Sequence, residues 1–225
     1  MFLVEGRKMV TEALASDFPV ETILCDAAQA ATYAFLLSQG EAALLPAHVL
    51  AAVCDTKTPQ GIAAVVRMGA IAHLGKRLVA LDGVQDPGNV GTILRTADCA
   101  GMEGLLLSEQ CADIFSPKVL RATMGSIFRM PVEVTADLPG RLYALREQGY
   151  SVLSSQLDGT PFYQRRGVGE RYVLVVGNEG NGVSHQVQQL ATHRLRLPMR
   201  GGAESLNAAV AAGIMMYELT RELGE

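Results

Sequence analysis

Three times along this chain an apolar run ends in a loop rich in glycine, asparagine or proline, and each loop leads into a helical pattern. The runs are residues 78–81, 172–176 and 195–197, and the helices after them begin near Asn89, Ser184 and Ser205. Parallel strands need crossover connections, commonly helices, so this alternation predicts an α/β domain with a mostly parallel sheet covered on both faces. In open sheets of this kind ligands bind beyond the carboxyl ends of the strands. All three loops fall there, and the chemistry is expected in them.

The other segments fit the same plan. Further strands are expected at 105–107, 132–134 and 152–154. Helices are expected at 89–100, stopped by Gly101, and at 117–124, behind a Ser116 N-cap and Pro117 at the first helical position. Others are expected at 138–148, stopped by Gly149, at 184–191 and at 205–223. Upstream, residues 1–70 read as a small α/β module: helix 6–16, strand 20–24, helix 29–38, an apolar run 42–45, helix 46–53 begun by Pro46, and strand 61–68. Residues 69–76 are the expected linker, giving domains of 1–70 and 76–225.

Composition narrows the function class. The longest apolar run, 208–217, is about half of the roughly 20 residues a bilayer span needs, so it reads as a core helix and no membrane partner is expected. The start of the chain carries Glu5 and lacks the long apolar stretch of a secretory signal. Four cysteines (Cys25, Cys54, Cys99, Cys111) and four histidines are scattered, with no CxxC pair. Neither a metal site nor a disulfide framework is suggested, and the cytoplasm is the expected compartment. A net charge of −4 argues against indiscriminate nucleic-acid binding, but its distribution is uneven. Residues 163–203 carry Arg165, Arg166, Arg171, Arg194, Arg196 and Arg200 against two acids, and residues 116–129 add Lys118, Arg121 and Arg129 with none. Clustered around glycine-rich loops, these cations favour an anionic partner.

The loops themselves exclude several chemistries. The segment 177–182 allows close backbone approach to a ligand through its three glycines. It lacks the lysine of a phosphate-binding P-loop and the spacing of a dinucleotide fingerprint, which disfavours ATP hydrolysis and nicotinamide oxidoreductase chemistry. No nucleophile elbow or catalytic triad is visible. In the first loop Asn89 is placed to cap the next helix, with Arg95 six residues on and within two turns of the loop. In the third, Ser205 is the expected N-cap, and Asn207 sits in the first turn where capping does not need it.

Taken together, three patterns resemble the motifs of the SpoU (TrmH-like) family of RNA 2′-O-ribose methyltransferases in the SPOUT superfamily. They are Asn89-x-Gly91-x-x-x-Arg95, Gly177-Asn178-Glu179-Gly180-Asn181-Gly182, and Leu197-Pro198-Met199 followed by Ser205-Leu206-Asn207. The resemblance covers about residues 76–222. It implies a parallel-sheet α/β domain whose C-terminal segment forms a deep trefoil knot, a rare exception to unknotted topology. S-adenosyl-L-methionine would bind there, with Gly177, Asn178, Leu197 and Leu206 as its contacts, and two copies would form a homodimer through this domain. Phe2–Glu5 with Gly6, and Pro59 to Val66, are similar to the family's small substrate-binding domain, a ribosomal-protein (L30e-like) fold; the helix that often precedes it is expected to be short or absent.

The implied reaction moves a methyl group from a sulfonium to a ribose 2′-hydroxyl of structured RNA, ribosomal or transfer RNA. Arg95 is the implied central catalytic group. The resemblance implies a base there; a guanidinium titrates above about 12, so deprotonating it is costly, and the alternative is that Arg95 binds the adjacent phosphate and stabilises a developing alkoxide. Asn89, Glu179, Ser205 and Asn207 would orient Arg95 and the ribose by hydrogen bonds. A base-modifying enzyme of the same superfamily and a non-catalytic RNA-binding or ribosome-assembly protein are the alternatives.

Overall fold

The computed structural model describes residues 1–69 and 73–221. The chain divides into two compact units, and residues 115–129 pack in the first one, although the sequence pattern places them in the second domain. The physical reason is aromatic: Phe2 stacks near Phe115 and Phe128, with ring centroids 4.6 and 6.3 Å away, and Phe18 meets Phe2 and Phe128 edge-on.

The first unit holds a four-stranded sheet made of β1 (Phe2–Glu5), β2 (Val20–Asp26), β3 (Ala42–Leu45) and β4 (Ile62–Val66), in the order β1-β4-β2-β3. β4 pairs antiparallel with both neighbours, and its run of apolar residues is nearly all buried, as a central strand requires. Helix α1 (Gly6–Leu14) turns Met9, Val10 and Ala13 inward. The expected helix at 29–38 is instead a 3₁₀ turn at Ala27–Gln29, held by the Asp26 carboxylate accepting from the Ala28 N–H, followed by a single turn, α2 (Ala34–Leu37). Only Leu36 of that turn is buried, too little apolar surface to hold a longer helix. Helix α3 (Ala47–Val53) follows Pro46.

The second unit is a six-stranded sheet, parallel throughout, in the order β10-β8-β9-β5-β6-β7. Its strands are β5 (Arg77–Asp82), β6 (Leu105–Ser108), β7 (Val132–Thr135), β8 (Ser151–Pro161), β9 (Tyr172–Gly177) and β10 (His193–Arg196). β5 and β9 lie at the centre, and their runs 78–81 and 172–176 are apolar and buried because both faces are covered. The chain builds outward from β5 through β6 to β7 and then fills the other side, so β5 and β9 flank the switch point where such sheets open a crevice. β8 is longer than expected. It pairs with β10 at Ser154 and again at Thr160, and residues 155–159, mostly polar and ending in Gly159, bulge from the ladder between them.

Helices α4 (Pro87–Cys99), α6 (Leu138–Glu147), α7 (His185–Leu190) and α8 (Ala208–Thr220) belong to this unit, whereas α5 (Pro117–Thr123) lies in the first. Leu138, Leu142 and Leu145 of α6 and Val187 of α7 join Leu78, Ala80, Leu106, Val152, Val173 and Val175 in one core cluster. α8 packs on α4 and β9. Among the described residues no helix is long and apolar enough to cross a membrane.

Candidate active site

Two caps differ from expectation, and the difference frees the side chains that matter. Asp86, not Asn89, is the N-cap of α4: its carboxylate accepts from the Asn89 N–H at 2.8 Å. Pro87 follows at the first helical position, where its missing N–H costs nothing. Asn89 therefore sits inside the first turn, 8% exposed, with its amide available for tertiary bonds. At α8 the cap is Asn207 and not Ser205. The Asn207 Oδ1 accepts from the N–H groups of Ala209 (2.9 Å) and Val210 (3.2 Å), and residues 205 and 206 lie ahead of the helix.

These choices set up a hydrogen-bond relay across three loops. Main-chain N–H groups can only donate, so Asn207 must turn Oδ1 toward the helix and Nδ2 away from it. That Nδ2 donates to Asn89 Oδ1 at 2.9 Å, and Asn89 Nδ2 in turn donates to Glu179 Oε1 at 2.9 Å. Glu179 also accepts from the N–H groups of Asp86 (3.2 Å) and Gln85 (3.3 Å). The carboxylate at the end thus dictates the orientation of both amides. Partial burial pushes the Glu179 carboxyl up. The donors, Asn89 first and then its own and the Gln85 and Asp86 N–H groups, outweigh this and hold it below the usual carboxylate range.

The second loop is stitched to the first at further points. Asn178 Nδ2 donates to the Gly83 carbonyl at 2.8 Å, and its Oδ1 accepts from the N–H groups of Gly180 (2.9 Å) and Asn181 (3.0 Å). The main chains of Asn178 and Gly182 bond each other in both directions. A Cβ on Gly177 would lie 2.1 Å from the Gly182 carbonyl carbon, so the turn closes only around glycine. Asp82 accepts from the Ser184 N–H at 2.7 Å. Asp82 and Ser108 do not stand out in the sequence; their only signal is a polar residue at the end of an apolar strand.

Arg95 and Ser205 stand apart from this network. Both are exposed, and neither side chain bonds any described residue. The same holds for the third loop as a whole: no hydrogen bond among the described residues involves residues 199–206. A family model of the SpoU rRNA Methylase family matches residues 76–217, which include all three loops.

The chain belongs to the SpoU rRNA methylase family.

A second family model, that of the MRM3-like substrate binding domain, matches residues 1–64. Among relatives, the Bacillus subtilis (strain 168) protein named 23S rRNA (guanosine(2553)-2′-O)-methyltransferase RlmP is 39% identical over 219 residues, 97% of this chain and 88% of its own length. The SpoU methyltransferase AviRb from Streptomyces viridochromogenes, solved in complex with its cofactor AdoMet, superposes with a TM-score of 0.87 at 28% identity, covering 99% of this chain and 90% of that one. An AdoMet-bound rRNA methyltransferase from Sinorhizobium meliloti gives 0.85 at 32% identity, covering 100% and 88%.

For this SpoU family chain the donor set fits such a cofactor. S-adenosylmethionine offers an adenine ring, sugar hydroxyls and an amino-acid group, which need main-chain partners and an apolar wall. Residues 199–205 present unengaged N–H and C=O groups, flanked by Leu197 and by Leu206, which is 40% exposed. Asn178 fits less well as a contact, because both lone pairs of its Oδ1 and one hydrogen of its Nδ2 are engaged within the protein.

The arginines divide in the same way. Arg165 is held by Glu218, by the Phe162 carbonyl and by the Phe162 ring, and Arg171 lies over the Tyr150 ring. Arg166, Arg194, Arg196 and Arg200 have no side-chain partner among the described residues. Alternation along β10 puts Arg194 and Arg196 on one face. The cationic stretch 116–129 belongs to the other unit. It packs in the first unit, where Arg121 pairs with Asp55 at 2.7 Å and Arg129 with Glu12.

Proposed function

We propose that this chain methylates a ribose 2′-hydroxyl of RNA at the expense of S-adenosylmethionine, with ribosomal RNA as the substrate class. The observation that carries the reading is the relay of Asn207, Asn89 and Glu179, built from all three loops at one end of the sheet in a SpoU family chain. When bound, S-adenosylmethionine supplies a methyl group on a sulfonium. The residues present do the rest. Residues 199–206, Leu197 and Leu206 hold the cofactor through main-chain and apolar contacts, and the turn at Gly177 shapes the floor. Arg95, exposed and unpartnered among the described residues, binds the phosphate next to the target ribose and stabilises charge developing on the 2′-oxygen as its proton leaves. Asn89 and Asn207 each keep one N–H beyond the relay, and with Ser205 they orient the sugar.

Several finer features belong to the same proposal. Val210, Ile214 and Tyr217 lie at i, i+4 and i+7 of α8 and are exposed, a stripe suited to a second copy of the chain. The segment after β9 runs out to the sheet edge at β10 and returns to α4 and β9 as α8, the path a trefoil knot needs. The first unit recruits the RNA, and the reaction takes place in the cytoplasm.

The test is transfer of labelled methyl groups from S-adenosylmethionine to RNA from cells lacking this chain, followed by nucleoside digestion. Label in a 2′-O-methyl nucleoside of ribosomal RNA is expected. Label in a base, or only in transfer RNA, would overturn the site or the substrate class respectively.

A further inference from the structure

Gly83, between β5 and α4, adopts a left-handed backbone, φ +70°. Its peptide groups are gripped from two sides. The N–H donates to the buried Ser108 Oγ at 3.0 Å, at the end of β6, and the carbonyl accepts from Asn178 Nδ2 at 2.8 Å, at the end of β9. Ser108 is itself braced by Cys111, 3.6 Å away, whose thiol donates to the Leu81 carbonyl at 3.3 Å. The Ala112 N–H bonds the Val84 carbonyl at 3.0 Å just beyond. Two and three residues after Gly83 come the Gln85 and Asp86 N–H groups that bind Glu179, the neighbour of Asn178. Adjacent residues of the second loop thus hold the first loop by opposite polarities: Asn178 donates to a carbonyl, and Glu179 accepts from two N–H groups. A carbonyl needs a donor, and a buried N–H needs an acceptor, so the side chains at 178 and 108 are not interchangeable with apolar ones.

We propose that Ser108 and Asn178 are positioning residues for methyl transfer, clamping the Gly83 peptide so that Glu179 docks on residues 85–89 and aligns the Asn89 amide. Neither belongs to the relay itself, and the proposal rests on the methyltransferase reading for its kinetic part alone. The clamp acts through Glu179: with Gly83 loose, the Gln85 and Asp86 N–H groups no longer converge on the carboxylate, which then loses two of the donors that favour its ionised form.

The experiment compares Asn178→Ala, Ser108→Ala and the double variant, all uncharged changes. The Glu179 carboxyl is titrated by carbon-13 NMR in glutamate-labelled protein, with Glu179→Gln supplying the assignment. In each single variant Glu179 is expected to titrate at a higher pH than in the wild type. The kcat for RNA methylation should fall on the order of tenfold to a hundredfold, the scale of a small misplacement of catalytic groups, with a much smaller change in the KM for RNA. The double variant should lose less than the product of the two singles, because both grip one peptide. Folded single variants with unchanged Glu179 titration and kcat within about twofold of wild type would overturn the clamp. Should Asn178→Ala fail to fold, Ser108→Ala decides on the same two readouts. A wild type that methylates no RNA would remove the proposed function, and the titration would still decide the clamp.

Discussion

The two halves of the candidate site are built on opposite principles. Around residues 82–89 and 177–184 almost every polar group is tied: Asp82 to Ser184, Gly83 to Ser108 and Asn178, and Glu179 to Gln85, Asp86 and Asn89. By contrast, the Arg95 side chain and the whole of 199–206, Ser205 included, bond nothing among the described residues. The tied half is a scaffold set before any ligand arrives, so its alignment requires no rearrangement when the substrate binds. In the proposed reading, the open half is where N–H, C=O and guanidinium groups take the partners that RNA and cofactor bring. Asn207 is the hinge between them, since one side chain both caps α8 and starts the relay.

The comparison breaks most severely at Arg95. If the open half does the chemistry, Arg95→Ala should cut turnover by about 10²–10³-fold, while cofactor affinity measured by calorimetry stays close to wild type. Arg95→Lys should fail as well if the flat guanidinium fork is required for a phosphate. Undiminished turnover in Arg95→Ala would remove this residue from the reaction.

Asn207 gives the sharper division. Aspartate caps helices as well as asparagine does, so Asn207→Asp should retain the thermal stability of the wild type. It has no Nδ2 to donate to Asn89, and its kcat should drop about tenfold or more. Asn207→Ala loses both roles and should also lose about 0.5–2 kcal/mol of stability in thermal or denaturant unfolding. Equal activity in Asn207→Asp and wild type would mean that the relay is structural only.

The smallest effect concerns RNA affinity. Arg194→Ala and Arg196→Ala remove open guanidinium groups. Each should flatten the slope of log affinity against log salt by about 0.7–0.9 for every phosphate that the variant leaves unneutralised. Arg165→Ala should leave that slope alone and lower stability, because Arg165 is already held by Glu218 and Phe162. Identical slopes in all three variants would place RNA recognition elsewhere in the chain.

Much of this was legible in the sequence for definite reasons. The strand and helix periods of the second unit are strong because its central strands are buried on both faces, and Gly101 and Gly149, both left-handed, mark helix ends that only glycine closes cheaply. The short range of hydrophobic periodicity explains what was missed. It does not register the bulge of β8, whose residues 155–159 look like a turn, or the replacement of the helix expected at 29–38 by a 3₁₀ turn and a single helical turn.

What the linear order of residues determined by itself is the set of parts: an α/β chain, three loops at carboxyl ends of strands, and the polar residues at positions 89, 95, 179, 205 and 207. Local chemistry suffices for that, since alternation, capping and turn preferences act over a few residues. Only the tertiary structure decided which parts meet. Capping at Asn89 or Asp86, and at Ser205 or Asn207, is nearly equal in propensity, and the choice fell to whichever left an amide free to bond across ninety or more residues of chain. The same holds for residues 115–129, which the sequence pattern assigns to the second domain and the tertiary structure to the first unit. Their aromatic rings find Phe2 and Phe18 because burial of apolar surface has no memory of sequence distance.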